Sequence, residues 1–411
     1  MASREPKTIV IIGTLDSKGQ EVKYVKDQIE KRGHRTLVVD AGVLGEPAFK
    51  ADVSREMVAE AGGSDLAHLV AQQDVGTAVQ AMIGGAVEIT KRLYAEGRLD
   101  GVMSLGGGKG TAIGTAAMRA LPLGVPKIAV STGASGDTRR YIGTRDIVIF
   151  PSITDIIGLN RVNTRMLSNA VGAMAGMVET RLEDIPCGKP VIGITALGIT
   201  TPAAMKCMST LEREGYEVMV FHATGIGGRA MEELVDGGVI TGLIDLTTTE
   251  VMAEVVGSTF GSSGPGRLEA AGRKGIPQVI APGGLDAVAF GGRGMIPARY
   301  GDRLFYDSTP VLTGMRTSVE ENVKVAQVMA AKVNRASGPV AIVIPTRGFS
   351  AYDQEGGVFC DPEADRAFIE TLQERVREDV GVILVDAHIN DDEYAEEATR
   401  VFLDMKQGQE V

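Results

Sequence analysis

The 411 residues include 44% hydrophobic and 23% charged side chains, 53 glycines and no tryptophan, with a formal net charge of −11. That length exceeds one ordinary core and implies two domains, while the balance excludes disorder and reads as a soluble α/β protein dense in strand-to-helix turns. The acidic surplus leaves no broad basic field, so neither nucleic acid nor an anionic membrane is expected as a partner, and any anion must be held locally.

Residues 1–7 are polar and no stretch of eighteen apolar residues follows, so neither a signal peptide nor a membrane span is expected. Residues 8–12 are a β-branched run ending at Gly13, residues 19–32 are helical in pattern, and Gly33 turns the chain into a second strand over residues 36–40 ending at Asp40. Residues 46–90 read as added material. An apolar strand over residues 101–105 then breaks into Gly106, Gly107, Gly108, Lys109, Gly110 and Thr111 before a helix resumes. Glycines there would let the backbone turn through positive φ and bring amides close to an anion, at the positive end of the next helix. A fourth strand over residues 124–130 leads into Ser131, Thr132 and Gly133.

Residues 191–195, 203–214 and 217–222 repeat the opening strand, helix and strand. Residues 242–246 match 101–105, and 275–281 match 124–130. The expected fold is therefore α/β, with two Rossmann-like subdomains of mainly parallel strands, internally duplicated, covering residues 1–186 and 187–411 with a break near residues 185–189. A third block, with strands over residues 340–344 and 382–385 around a helix over 362–378, completes the second sheet. Cys187, Cys207 and Cys360 have no CxxC spacing and fit reduced thiols of a cytoplasmic protein. His34, His68 and His388 have no zinc-ligand spacing.

Ligands of open parallel sheets bind beyond the carboxyl ends of the strands. There, the amides of residues 107–111 and the Thr111 hydroxyl would hold phosphates, with Lys18 or Lys109 neutralising them. Ser17, Thr132 and Gly133 would sit beside them. Asp40 would accept from a ribose diol, and Asp16 would hold magnesium through water. Lys109 is followed by glycine rather than by Ser or Thr, and Gly13 stands alone, so neither a Walker loop nor a dinucleotide fingerprint is present. In the second half, His222 with Asp245 would make an acid/base pair, and Arg347 or Arg316 would take a carboxylate or phosphate, giving a small-acid enzyme as the alternative.

Taken in order, residues 12–18, 105–111, 131–136, 141–144, 151–155, 222–225 and 245–250 resemble the ATP-binding domain family of the tomato mosaic virus resistance protein and its uncharacterised bacterial and fungal relatives. The resemblance spans nearly the whole chain. It implies two Rossmann-like subdomains, a homodimer, and ATP held by the N-terminal one through residues 16–18 and 106–111. It assigns no reaction, and a regulatory dimer that binds a partner protein around structural ATP stays open beside an enzyme.

Overall fold

The computed structural model describes residues 5–180, 188–258 and 260–408. The chain divides into two units, residues 1–185 and 186–411. Cys187 and most of the expected boundary segment lie outside the described residues.

The first unit runs β1 (Thr8–Gly13), α1 (Leu15–Lys31), β2 (Arg35–Asp40), α2 (Arg55–Ala61), α3 (Leu66–Gln72), α4 (Val75–Ala95), β3 (Gly101–Gly106), α5 (Gly108–Arg119), β4 (Lys127–Ser131), α6 (Arg139–Ile142), β5 (Val148–Pro151) and α7 (Arg161–Glu179). The strands pair in parallel in the order β2-β1-β3-β4-β5. The short apolar runs of β1 to β4 are buried on both faces, as crossover helices require, while the edge strand β5 is not. Ile9 and Ile11 pack with Val22, Val25 and Met174 of α1 and α7. Val10 and Ile12 point the other way, into Val58, Met82 and Ile113 of α2, α4 and α5. The helix expected from residue 19 starts earlier, because a first turn at Leu15 precedes a departure from helical geometry at Lys18 (φ −128°, ψ 19°).

The second unit runs β6 (Val191–Ala196), α8 (Thr201–Arg213), β7 (Glu217–His222), α9 (Ile226–Asp236), β8 (Gly242–Thr247), α10 (Thr249–Val256), α11 (Ala270–Lys274), β9 (Gln278–Gly283), β10 (Ala287–Phe290), β11 (Phe305–Thr309), β12 (Leu312–Arg316), α12 (Val319–Val333), β13 (Val340–Pro345), α13 (Pro362–Arg375), β14 (Gly381–Val385) and α14 (Asp392–Gln407). Its parallel sheet has the order β14-β13-β9-β8-β6-β7. The duplication holds at the level of register: Ile9 pairs with Gly101 in the first sheet as Ile192 pairs with Gly242 in the second. The edge strand β5 of the first sheet has no counterpart in the sequence reading, and neither does a third sheet. Strands β10, β12 and β11 form a separate antiparallel sheet, in that order.

Candidate functional site

In a doubly wound sheet the ligand crevice opens where neighbouring strands send their crossovers to opposite faces. In the first unit that point lies between β1 and β3, since β2 flanks β1 on one side and β3 on the other. A cavity of about 660 Å³ lies there, lined by Thr14, Asp16 and Ser17 after β1, by residues 41–45 after β2, and by Lys109 and Ile113 of α5. Its apolar wall comes from α3 and α4, through Leu69, Val70, Val75, Ala78, Val79 and Met82. The segment that read as added material thus builds one side of the pocket.

The glycine loop sits at the head of α5. Gly107 is the N-cap, with φ −75° and ψ −164°, and no side chain caps the helix. The amides of the first turn therefore have no acceptor from within the helix. Positive φ is not what the glycines provide, because none of Gly106, Gly107, Gly108 or Gly110 has it. A Cβ on Gly106 would lie 3.0 Å from the Cα of Gly110, and one on Gly114 would lie 2.2 Å from Ser104 Oγ, so these two let α5 close tightly onto β3. Gly108 is different: a Cβ there would meet nothing within 4 Å, and its φ is not positive. Neither packing nor backbone strain in the unit accounts for a bare residue at that position. Lys109 is exposed beside it and, among the described residues, enters no ion pair.

Several residues expected at a ligand are instead used by the fold. Asp40 is 2% exposed; its Oδ1 accepts from the amides of Leu15 (3.0 Å) and Gly42 (2.9 Å), and its Oδ2 from Arg55 Nε (2.9 Å). It cannot also take a ribose diol. The Thr111 hydroxyl is buried and bonds Ser131 Oγ at 2.7 Å, tying α5 to β4 instead of facing a phosphate. Lys18 donates to the Ile156 carbonyl and does not line the cavity. Asp16 Oδ2 accepts from the amides of Val43 (3.1 Å) and Leu44 (3.0 Å), which shapes the loop after β2. Ser17 pairs with Thr14 at 2.8 Å on the cavity rim. Thr132 lines a neighbouring polar hollow with Ser135 and Ser152, and the Gly133 amide donates to Ser131 Oγ at 3.0 Å.

The acid-handling trio expected in the second unit is not assembled. Asp245 is buried under Arg267, which donates to both its oxygens, Nη2 to Oδ1 at 2.7 Å, and Thr195 donates to Oδ1 at 2.6 Å. Nothing of that carboxylate is left for His222, which is exposed at the end of β7. Arg347 is an exposed residue in a two-point pair with Asp386, both contacts 2.8 Å. Arg316 is buried and holds Asp365 at 3.0 Å. Arg267, which the sequence reading passed over, is the centre of a buried network: Nε donates to Glu250 at 2.7 Å and Nη1 lies 3.3 Å from Glu232. Burial pushes the Glu232 carboxyl above its usual range, against the pull of Arg267.

Two family models match this chain: the N-terminal domain of the uncharacterised protein family UPF0261 over residues 7–183, and its C-terminal domain over residues 189–406. A UPF0261 protein of Clostridium tetani is 46% identical over 390 residues, covering 95% of this chain and 96% of that protein. One of Rhizobium meliloti is 42% identical over 401 residues, covering 97% and 99%. The ToMV resistance protein Tm-1(GCR237) of Solanum lycopersicum is 37% identical over 426 residues, covering 98% of this chain but 56% of its own length. Among solved structures, a UDP-N-acetylglucosamine 2-epimerase from Rickettsia bellii aligns with a TM-score of 0.24 and 11% identity, over 67% of this chain and 79% of that one.

Proposed function

This chain belongs to the uncharacterised protein family UPF0261, and from that premise we propose that its N-terminal unit binds ATP with magnesium. The observation that carries the reading is the bare first turn of α5 at the sheet's switch point. That turn carries uncapped amides and a residue whose Cβ would meet nothing, and its Lys109, without an ion pair among the described residues, lines the cavity together with Ile113 of the same helix. Amides at a helix N-terminus bind phosphate through hydrogen bonds and the helix dipole together. Gly107, Gly108, Lys109 and Gly110 would hold the triphosphate, and the apolar wall of Val75, Ala78 and Met82 would take the purine. Among the described residues no group of three or more His, Cys, Asp or Glu could hold a metal. Magnesium therefore arrives on the phosphates, and of the two carboxylates that line the cavity Asp16 would meet it through water, since both oxygens of Asp74 are taken by the Gly76 amide and the Thr77 hydroxyl.

Calorimetric titration with Mg·ATP tests the reading. The parent chain should bind, and Lys109→Ala should weaken binding by about fivefold to tenfold, the loss of a charge-assisted contact at an exposed site. Gly108→Val should abolish binding without lowering the melting temperature, because its side chain enters space that the protein leaves open. No heat from the parent at millimolar nucleotide, or unchanged binding in Gly108→Val, would overturn the assignment.

A further inference from the structure

The C-terminal unit contains a second cavity, of about 500 Å³, that the nucleotide reading does not use. It occupies the matching position in the duplicate, beyond the carboxyl ends of β6, β7 and β8 where β6 lies between β7 and β8. The antiparallel sheet closes it from above with Tyr306, Leu312 and Gly314, and the segment after β13 adds Tyr352 and Phe359. The three rings form one cluster: centroids are 5.1 Å apart for Tyr306 and Tyr352, 5.9 Å for Tyr352 and Phe359, and 6.4 Å for Tyr306 and Phe359.

The chemistry of this cavity is opposite to that of the first. No Lys, Arg, Asp or Glu lines it among the described residues. The helix that corresponds to α5 is α10, and in place of Gly-Lys-Gly it opens with Thr249 and Glu250. Glu250 Oε1 accepts from the amides of Gly225 and Gly228 at the head of α9, so an internal carboxylate already fills the nearby anion position. Arg267 holds that carboxylate in place. A phosphate or carboxylate arriving here would find no free cation and a buried negative charge behind the wall. Desolvation, with Tyr306 alongside, pushes the Tyr352 phenol above its usual value, which keeps it a neutral donor. Ala287 and Ala289 of β10 face the cavity as methyl groups, leaving its width open between the rings and α10.

We propose that this cavity is a binding site for an uncharged, planar aromatic small molecule, packed against Tyr306, Tyr352 and Phe359, with His222, Thr224 and Ser308 as its hydrogen-bonding partners. A volume of this size takes a molecule of two or three fused or linked rings. Its aromatic packing follows the offset and edge-on geometries that the side chains already adopt among themselves.

The test uses the full chain and N-phenyl-1-naphthylamine, an uncharged aromatic fluorophore. The parent should enhance its fluorescence saturably, and Ala289→Phe, which fills the cavity from β10, should weaken binding by about tenfold or more. Tyr306→Ala, at a residue 40% exposed and so outside the core, should weaken it in the same direction and decides the matter if Ala289→Phe unfolds early. Val75→Trp, which blocks the cavity of the other unit, should leave the affinity within about twofold. Millimolar ATP should not displace the probe from the Val75→Trp chain. Probe binding that survives both Ala289→Phe and Tyr306→Ala, or that ATP displaces from Val75→Trp, would overturn the proposal. Either result is independent of whether the parent binds ATP in its first unit.

Discussion

Replacing Arg267 with Met should be among the most damaging single changes in the second unit, and the structure indicates how damaging. Arg267 is 2% exposed, and its guanidinium serves three carboxylates. They do not lose equally when it goes. Glu232 keeps the amides of Leu268 (2.6 Å), Ala270 (2.7 Å) and Glu269 (3.3 Å), and Glu250 keeps those of Gly225 and Gly228. Asp245 keeps, among the described residues, only the Thr195 hydroxyl, and loses two charge-assisted contacts. Stranding one buried carboxylate in this way costs about 3–5 kcal/mol. For a unit of this size that is a fall of roughly 6–20 °C in its melting temperature. The loss must also depend on pH. Burial already holds the Glu232 carboxyl above its usual value against the pull of Arg267, and removing that cation raises it further, so the folded variant binds more protons than the unfolded one and recovers stability as pH falls. Scanning calorimetry of parent and Arg267→Met at pH 8 and pH 5 should show the larger gap at pH 8. A gap below about 1 kcal/mol, or one equal at both pH values, would refute the reasoning.

Other outcomes follow from the same structure. Gly114→Ala should destabilise the first unit by about 1–3 kcal/mol and weaken nucleotide binding, because its methyl would collide with Ser104 and lift α5 off β3; urea unfolding and calorimetry read the two effects. Asp286 is pushed up to about 7 by burial and by the charge of Asp353, and Asp365 to about 8 by burial and the same neighbour. Both are raised in the folded state, so their contribution is complete in acid and is lost as pH climbs to about 8, and Asp286→Asn should flatten that decline in a series of melts. Arg347→Ala, which breaks only a solvent-exposed pair with Asp386, should leave the melting temperature unchanged.

The parallel sheets were legible, apart from the edge strand β5, because most strands are short β-branched runs followed by glycine or a polar residue, and the duplicated runs kept their register into the pairing of Ile9 with Gly101 and Ile192 with Gly242. The antiparallel sheet was not. Its strands are four or five residues long and mix Gly314, Arg316, Asp307 and Ser308 with apolar residues, so no period stands out. At the site, the glycine loop was recognisable from composition alone, although its glycines act by close approach and bare surface instead of by positive φ. Polar residues just past a strand were harder to interpret. Whether Asp40, Thr111 or Asp245 faces a ligand or the interior depends on Arg55, Ser131 and Arg267, each at least fifteen residues away along the chain. Lys109 stayed a candidate because no such partner reaches it among the described residues, and the wall of α3 and α4 emerged only once the segment before β3 had folded over the sheet.

The most direct test of the central claim is a crystal structure of the chain grown with ATP and magnesium. The account predicts phosphate oxygens within hydrogen-bond reach of the amides of Gly108, Lys109 and Gly110, with the purine against Val75, Ala78 and Met82. A nucleotide bound elsewhere, or a first turn of α5 that faces only solvent while ATP is present at saturating concentration, would contradict it.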